Sequence, residues 1–130
     1  MGAIRDLQQQ CGEAAASKGF HEDRPKPMRK GATLSGIKEQ KSRLANWQGN
    51  KLMLIVSEVA EAQDELRKGH TADHTYYQDN GKPEGVPSEL ADVVIRVLDF
   101  CYTEGIDLES IIDAKLAFNA TRERLHGKTF

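Results

Sequence analysis

Two apolar stretches that each carry a line of acidic side chains constrain the fold of this chain more than any other feature. Residues 51–66, K-L-M-L-I-V-S-E-V-A-E-A-Q-D-E-L, and residues 87–102 are otherwise mostly apolar or small, which is typical of buried helices. Their polar side chains recur every three or four positions and therefore share one stripe of each helix. These side chains are Glu58, Glu61 and Glu65 in the first stretch, and Glu89, Asp92, Arg96 and Asp99 in the second.

Packing of the two helices through their apolar faces would bring carboxylates from both into one confined space. The four carboxylates expected to meet there are Glu58, Glu61, Glu89 and Asp92. Like charges about 5 Å apart repel by roughly 3 kcal/mol per pair at an effective dielectric near 20, so a cation must lie among them or some must hold a proton. Oxygen ligands alone suit a hard cation, Mg²⁺ or Mn²⁺. Glu65 and Asp99 are expected to be outer ligands or partners of Lys68 and Arg96.

Hydrophobic periodicity along the rest of the chain predicts a single all-α domain over residues 1–130, with four or five helices and no strand. The helices are expected over residues 3–18, 33–46, 50–68, 87–104 and 108–125. Gly49 and Asn50 predict a kink or a short break between the second and third of these. Loops are expected over residues 21–33 and 70–86, and the second is long enough to be a lid or a contact surface.

The helix over residues 87–102 is apolar almost all round, and a monomeric bundle of this size could hardly cover it. We therefore expect a homo-oligomer with this helix at the subunit interface. The net charge of −2 and pI of about 6.1 give no chain-wide basic field, so nucleic acid is not an expected partner and any positive patch must be local. With no signal-peptide core and no membrane-spanning run, the chain is expected to be cytoplasmic, with Cys11 and Cys101 as buried thiols.

The last predicted helix supplies the opposite charge. Lys115, Asn119 and Arg122 share one face, and Lys128 follows in the tail, so this face is either a grip for phosphate groups or a solvated basic surface. Trp47, the only tryptophan, precedes the first acidic stripe and is expected either to stack on a nucleotide base or to be a buried anchor.

Three motifs in this order resemble the MazG-like all-α nucleoside triphosphate pyrophosphohydrolases over roughly residues 47–130. They are S-E-V-A-E at 57–61, E-L-A-D at 89–92, and K-x-x-x-N-x-x-R from Lys115, followed by G-K-x-F. The family pattern is E-E-x-x-E followed after a gap by E-x-x-D. Ser57 takes the place of the first acidic residue, which leaves the number of bound metals open.

The resemblance implies a four- to five-helix bundle completed by homo-oligomerisation, as a dimer or a dimer of dimers. It implies that Mg²⁺ bound by Glu58, Glu61, Glu89 and Asp92 serves to cleave a nucleoside triphosphate to the monophosphate and pyrophosphate. One of the glutamates, Glu58 or Glu61, would orient or deprotonate the attacking water. Phosphate groups would be held by Lys115, Asn119, Arg122 and Lys128.

Two alternatives stay open from the sequence. One is a related pyrophosphohydrolase with another substrate, such as phosphoribosyl-ATP. The other is a catalytically silent helical oligomer that binds a nucleotide or a protein, which the serine at position 57 favours.

Overall fold

The computed structural model describes residues 2–123, which form four helices and one small hairpin. This confirms the predicted all-helical class. The elements in chain order are α1 (Ala3–Ser17), α2 (Leu34–Arg67), β1 (Tyr76–Tyr77), β2 (Pro83–Glu84), α3 (Val86–Glu104) and α4 (Leu108–Ala120). No helix within residues 2–123 is long and apolar enough to cross a membrane.

Helix α2 is one continuous helix of 34 residues, so the predicted break at Gly49 and Asn50 is wrong. Its start is fixed by Thr33, whose side chain accepts a hydrogen bond from the backbone amide of Gly36. A glycine inside a helix costs only about 1 kcal/mol relative to alanine. Packing of the following turns against α3 offsets that cost, and Gly49 keeps ordinary helical backbone geometry.

The prediction that residues 70–86 contain no strand is also wrong, because β1 and β2 form a short antiparallel hairpin. Tyr76 pairs with Glu84, and Tyr77 pairs with Pro83. The connecting turn contains Asn80 and Gly81, the latter at φ 87°, which glycine adopts without strain. An Asn-Gly pair between short runs is a recognised hairpin signal.

The ends of the last two helices follow their sequence signals. Helix α3 ends at Gly105, which has the left-handed conformation predicted for a glycine stop. Asp107 caps α4 by accepting a hydrogen bond from the amide of Ser110. Helix α4 ends at Ala120, short of the predicted end near Leu125, which lies outside the described residues.

Helix α3 is central and packs against both α1 and α2. The buried apolar residues at these contacts are few: Cys11, Ala62, Val86, Leu98 and Cys101. Cys11 and Cys101 are buried free thiols, as predicted. Gly12 lies directly against the Tyr102 ring, so α1 approaches α3 as closely as a residue without a Cβ allows.

Large apolar side chains remain exposed on all four helices. They include Leu7 on α1, Leu52, Met53, Val56 and Val59 on α2, Leu90, Val94 and Ile95 on α3, and Ile111, Leu116 and Phe118 on α4. Helix α4 itself buries no residue and contacts only α1 to any extent. Within residues 2–123, this single chain therefore leaves long apolar surfaces facing solvent.

Candidate metal centre

Three carboxylates from two helices converge at the centre of the α2–α3 contact. Glu58 and Glu61 lie one turn apart on α2, and Glu89 lies in the first turn of α3. One oxygen atom from each carboxylate lies within 4.8 Å of the others. Glu58 and Glu89 are each only 8% exposed, whereas Glu61 opens to solvent. We call these three residues the acidic cluster.

The two buried members of the acidic cluster have pKa values shifted in opposite directions. Burial, followed by hydrogen bonding and charge repulsion from Glu58 and Glu61, raises the pKa of Glu89 to about 7. Burial also opposes ionisation of Glu58, but hydrogen bonds from Arg96 and Glu89 outweigh it and lower the pKa of Glu58 overall. The Arg96 Nε atom lies 2.7 Å from Glu58 Oε1. One of the two buried carboxylates is thus held ionised while the other is driven to keep a proton.

Asp92 lies outside the group of three but faces the same opening. It shares with Glu58 and Arg96 the lining of a cleft of about 740 Å³ between α1, α2 and α3. Desolvation is the main cause that raises the pKa of Asp92, and the charge of Glu58 is the second. Asp92 is exposed, so it borders the acidic cluster on the solvent side.

The acidic cluster fits the donor set of one hard divalent cation. Oxygen ligands at about 2.1 Å from Mg²⁺ in an octahedral shell are separated by roughly 3 Å when adjacent and about 4 Å when opposite. Oxygen atoms within 4.8 Å of one another need only small side-chain adjustments to reach that arrangement. A bound cation would also oppose the rise in the pKa of Glu89, because it would neutralise the carboxylate repulsion that adds to the effect of burial.

Trp47 lies along the same cleft as Glu58 and Asp92 and is only half-buried. Its Nε1 atom donates a hydrogen bond to Asp23 Oδ1 at 3.0 Å. The guanidinium of Arg24 and the ammonium of Lys51 lie 5.8 Å and 5.1 Å from the ring centroid. The indole is therefore fixed by polar contacts at the cleft, which differs from the fully buried anchor considered from the sequence.

Glu65 has a different partner from the acidic cluster. Its buried carboxylate accepts hydrogen bonds from Tyr76 Oη, at 3.0 and 3.1 Å, lies 2.7 Å from His70 Nδ1 and pairs with Lys68 at 3.5 Å. Burial opposes its ionisation, but these contacts lower its pKa. Glu65 thus ties the hairpin to α2. Asp99 pairs with His21 at 2.7 Å, whereas Arg96, its expected partner, binds Glu58.

The predicted phosphate-binding residues of α4 do not reach the acidic cluster within one chain. Lys115, Asn119 and Arg122 are exposed, and within residues 2–123 no hydrogen bond or ion pair joins them to it. Helix α4 is held to α1 instead, where Arg5 pairs with Asp107 at 3.0 Å and with Glu109 at 2.8 Å. Lys128 lies outside the described residues.

Two cations close to the acidic cluster were not assigned to it from the sequence. Arg96 binds Glu58, and Lys82 extends from the hairpin beside the start of α3. The Lys82 Nζ atom lies 3.2 Å from Glu84 Oε1, and this hydrogen bond is the main cause that raises the pKa of Lys82, with Glu89 and Asp92 adding to it. The Asn-Gly turn could have indicated the position of Lys82, because a hairpin folds this residue back toward the helix that follows.

Ser57 stands at the position where the family pattern has an acidic residue, and its side chain bonds within its own helix. Its hydroxyl donates a hydrogen bond to the backbone carbonyl of Leu54 at 2.7 Å, and the residue is exposed. The cluster is thus built without a contribution from position 57.

No protein-family model, curated protein or solved structure gives a significant match to this chain. The resemblance to MazG-like enzymes therefore depends on the sequence motifs alone.

Proposed function

We propose that this protein is a Mg²⁺-dependent pyrophosphohydrolase that cleaves nucleoside or deoxynucleoside triphosphates to the monophosphate and pyrophosphate, in the manner of nucleotide-pool clean-up. The observation that carries the proposal is the convergence of Glu58, Glu61 and Glu89 within 4.8 Å, beside a cleft of about 740 Å³ that Glu58 lines. The family resemblance of the motifs supplies the reaction type. Mn²⁺ would be accepted by the same oxygen ligands.

In this mechanism the buried carboxylates hold the ion, and Arg96 keeps Glu58 ionised for that role. When bound, the ion neutralises phosphate charge and lowers the pKa of a water molecule. Glu61 is the exposed member of the acidic cluster and has room for a water beside it, so it is the carboxylate that orients the attacking water and takes its proton. The phosphoanhydride bond between the α and β phosphates breaks, the water supplies the new P–O bond, and pyrophosphate leaves.

Phosphate groups that enter the cleft meet positive charge at Lys51 and Arg96, which line it, and the charge of Lys82 acts on Asp92. The indole of Trp47 flanks the same cleft and would contact the nucleoside part of the substrate. Lys115, Asn119 and Arg122 could act only if α4 reached the acidic cluster of another subunit. This fits a homodimer or a dimer of dimers in which the exposed apolar faces of α2, α3 and α4 are covered by a second copy.

The test is pyrophosphate release by the Glu61→Ala and Asp92→Ala variants, assayed over a panel of nucleotides that includes phosphoribosyl-ATP. Both variants should lose Mg²⁺-dependent release while they retain wild-type helical content. Asp64→Ala is the matched control, because Asp64 is an exposed acid on α2 that pairs with Arg67 outside the acidic cluster. Full activity in both site variants would show that the reaction is carried elsewhere, and orthophosphate as the product would redirect the reaction class.

A second candidate is a silent oligomer that binds nucleotides without turnover. Ser57 favours it, because its hydroxyl bonds to the backbone of its own helix and leaves the cluster with one acidic residue fewer than the family pattern. Calorimetry with Mg²⁺ and a non-hydrolysable triphosphate, beside the turnover assay, separates the two. Binding with no product from any substrate would favour the silent oligomer.

A further inference from the structure

The positive charge of this chain is concentrated in one segment. Residues 24–43, which we call the basic segment, contain seven lysine and arginine residues and a single acid, Glu39, for a net charge of +6. The whole chain carries −2, so the remaining residues carry −8. Such an asymmetry between two parts of one chain indicates a local polyanion-binding surface that the overall charge conceals.

The cations of the basic segment are exposed and without acidic partners. Arg24 is the exception, because it forms an ion pair with Glu104. Six others form no ion pair with any residue in the described range 2–123: Lys26, Arg29, Lys30, Lys38, Lys41 and Arg43. All six are exposed. Their mutual repulsion is thus relieved only by solvent and salt.

The geometry presents these charges away from the helical bundle. Along α2 from its start, the first hydrogen bond to α3 is that from Gln48 to Glu104, so residues 34–47, about 20 Å long at 1.5 Å per residue, form no hydrogen bond with α3 within residues 2–123. The loop before α2 folds against this extension, where Gln40 donates a hydrogen bond to the carbonyl of Lys26. A hollow of about 630 Å³ lies between the loop and the helix, with Lys26, Arg29 and Arg43 in its walls.

We propose that the basic segment is a docking surface for the phosphate backbone of a nucleic acid. Its six unpaired cations are distributed over two elements rather than gathered around one point, which fits a row of phosphates and not a single small anion. The segment contains no aromatic residue, so it offers no platform for base stacking, and binding is independent of sequence. Its large apolar residues, Met28, Leu34 and Ile37, are too few for a face that inserts into a lipid surface.

The surface is separate from the acidic cluster. Lys41 and Glu58 are both on α2 and are about 25 Å apart along the helix axis. A nucleic acid on the basic segment therefore leaves the cleft accessible.

The experiment measures fluorescence anisotropy of a labelled 20-nucleotide dT oligomer titrated with the full chain between 50 and 200 mM KCl. Each phosphate neutralised on a single strand contributes about −0.7 to the slope of log K against log salt concentration. If four phosphates are engaged, the slope is about −3, and the affinity falls by roughly sixtyfold over this range. The Lys38→Gln/Lys41→Gln double variant should weaken binding and reduce the magnitude of the slope by about 1.4, which is about 0.7 for each lysine.

The matched control is Arg67→Gln/Lys68→Gln, which removes the same two charges from exposed positions at the other end of α2. It should leave the affinity and the slope unchanged. Equal loss in both double variants would overturn the proposal, because only the total charge would matter. Absence of binding at 50 mM KCl would also overturn it, as would tighter binding to vesicles containing phosphatidylserine than to the oligonucleotide. Helical content from circular dichroism should match the wild type for both variants.

Discussion

Replacement of Glu89 by glutamine is expected to stabilise the metal-free protein above neutral pH, although it removes a proposed metal ligand. In the folded chain the pKa of Glu89 is about 7, compared with an ordinary value of 4.5, because burial and the neighbouring carboxylates oppose its charge. The folded state therefore binds more protons than the unfolded state between these pH values. The stability that this residue contributes is fully present below pH 4.5 and is lost as the pH rises through 7.

The size of the effect follows from the displacement of the pKa. At 1.36 kcal/mol for each pH unit, a rise from 4.5 to about 7 corresponds to a loss of about 3 kcal/mol in the free energy of unfolding at pH 8. Glutamine carries no charge at any pH, and its amide N–H groups can donate hydrogen bonds to Glu58 and Glu61, whereas the single O–H of protonated Glu89 can donate to one of them. The free energy of unfolding of the Glu89→Gln variant should thus exceed that of the wild type by up to about 3 kcal/mol at pH 8 and equal it near pH 4.

The assay is urea unfolding followed by circular dichroism from pH 4 to pH 8, with EDTA present and the same protein concentration throughout. Glu13→Gln, a substitution at an exposed position on α1, is the control, and its free energy of unfolding should change with pH as that of the wild type does. Addition of Mg²⁺ should then stabilise the wild type more than Glu89→Gln, because only the wild type keeps all three carboxylates. If the free energies of unfolding of the wild type and Glu89→Gln changed with pH in the same way across the whole range, the electrostatic reasoning would be refuted.

Four other substitutions probe separate parts of the structure. Lys82→Gln should raise KM for a triphosphate at least severalfold in steady-state assays, because Lys82 supplies positive charge next to Asp92; an unchanged KM would exclude that role. Gly49→Ala should raise the free energy of unfolding by about 1 kcal/mol, since open space surrounds that position, whereas Gly12→Ala should lower it by forcing α1 away from α3. In Asp107→Asn the free energy of unfolding should fall less steeply below pH 4 than in the wild type. In the wild type, hydrogen bonds from Arg5 and Ser110 lower the pKa of Asp107 to about 2, and the stability that this provides is lost as the pH falls through this value.

The sequence was sufficient for the helical class and for three of the four carboxylates expected to meet, whereas Asp92 lies outside the acidic cluster. Spacings of three and four residues fix which side chains share a stripe, and the apolar faces of α2 and α3 leave few ways to pack, so Glu58, Glu61 and Glu89 had to approach one another. The glycine stop at position 105 and the Asp107 cap are local signals and were equally readable.

The errors arose where a local preference competes with tertiary packing. Gly49 weakens a helix only slightly, and the contacts of the adjoining turns with α3 keep the helix continuous at this position. The hairpin was missed because two-residue strands have no periodicity, although the Asn80-Gly81 pair indicates a tight turn. Arg96 was assigned to the wrong acid, because spacing along its own helix cannot show that Glu58 of α2 lies closer. The position of the α4 cations relative to the acidic cluster depends on contacts beyond one chain, which sequence spacing does not encode.

An unbroken α2 also has a mechanical consequence. Leu34 and Glu58 are 24 positions apart on one rod, which is about 36 Å at 1.5 Å per residue. A rod of that length works as a lever: a rotation of about 5° around the carboxylate end sweeps the far tip through about 3 Å. A hinge at Gly49 would have absorbed such a rotation, whereas a continuous helix transmits it from one end to the other.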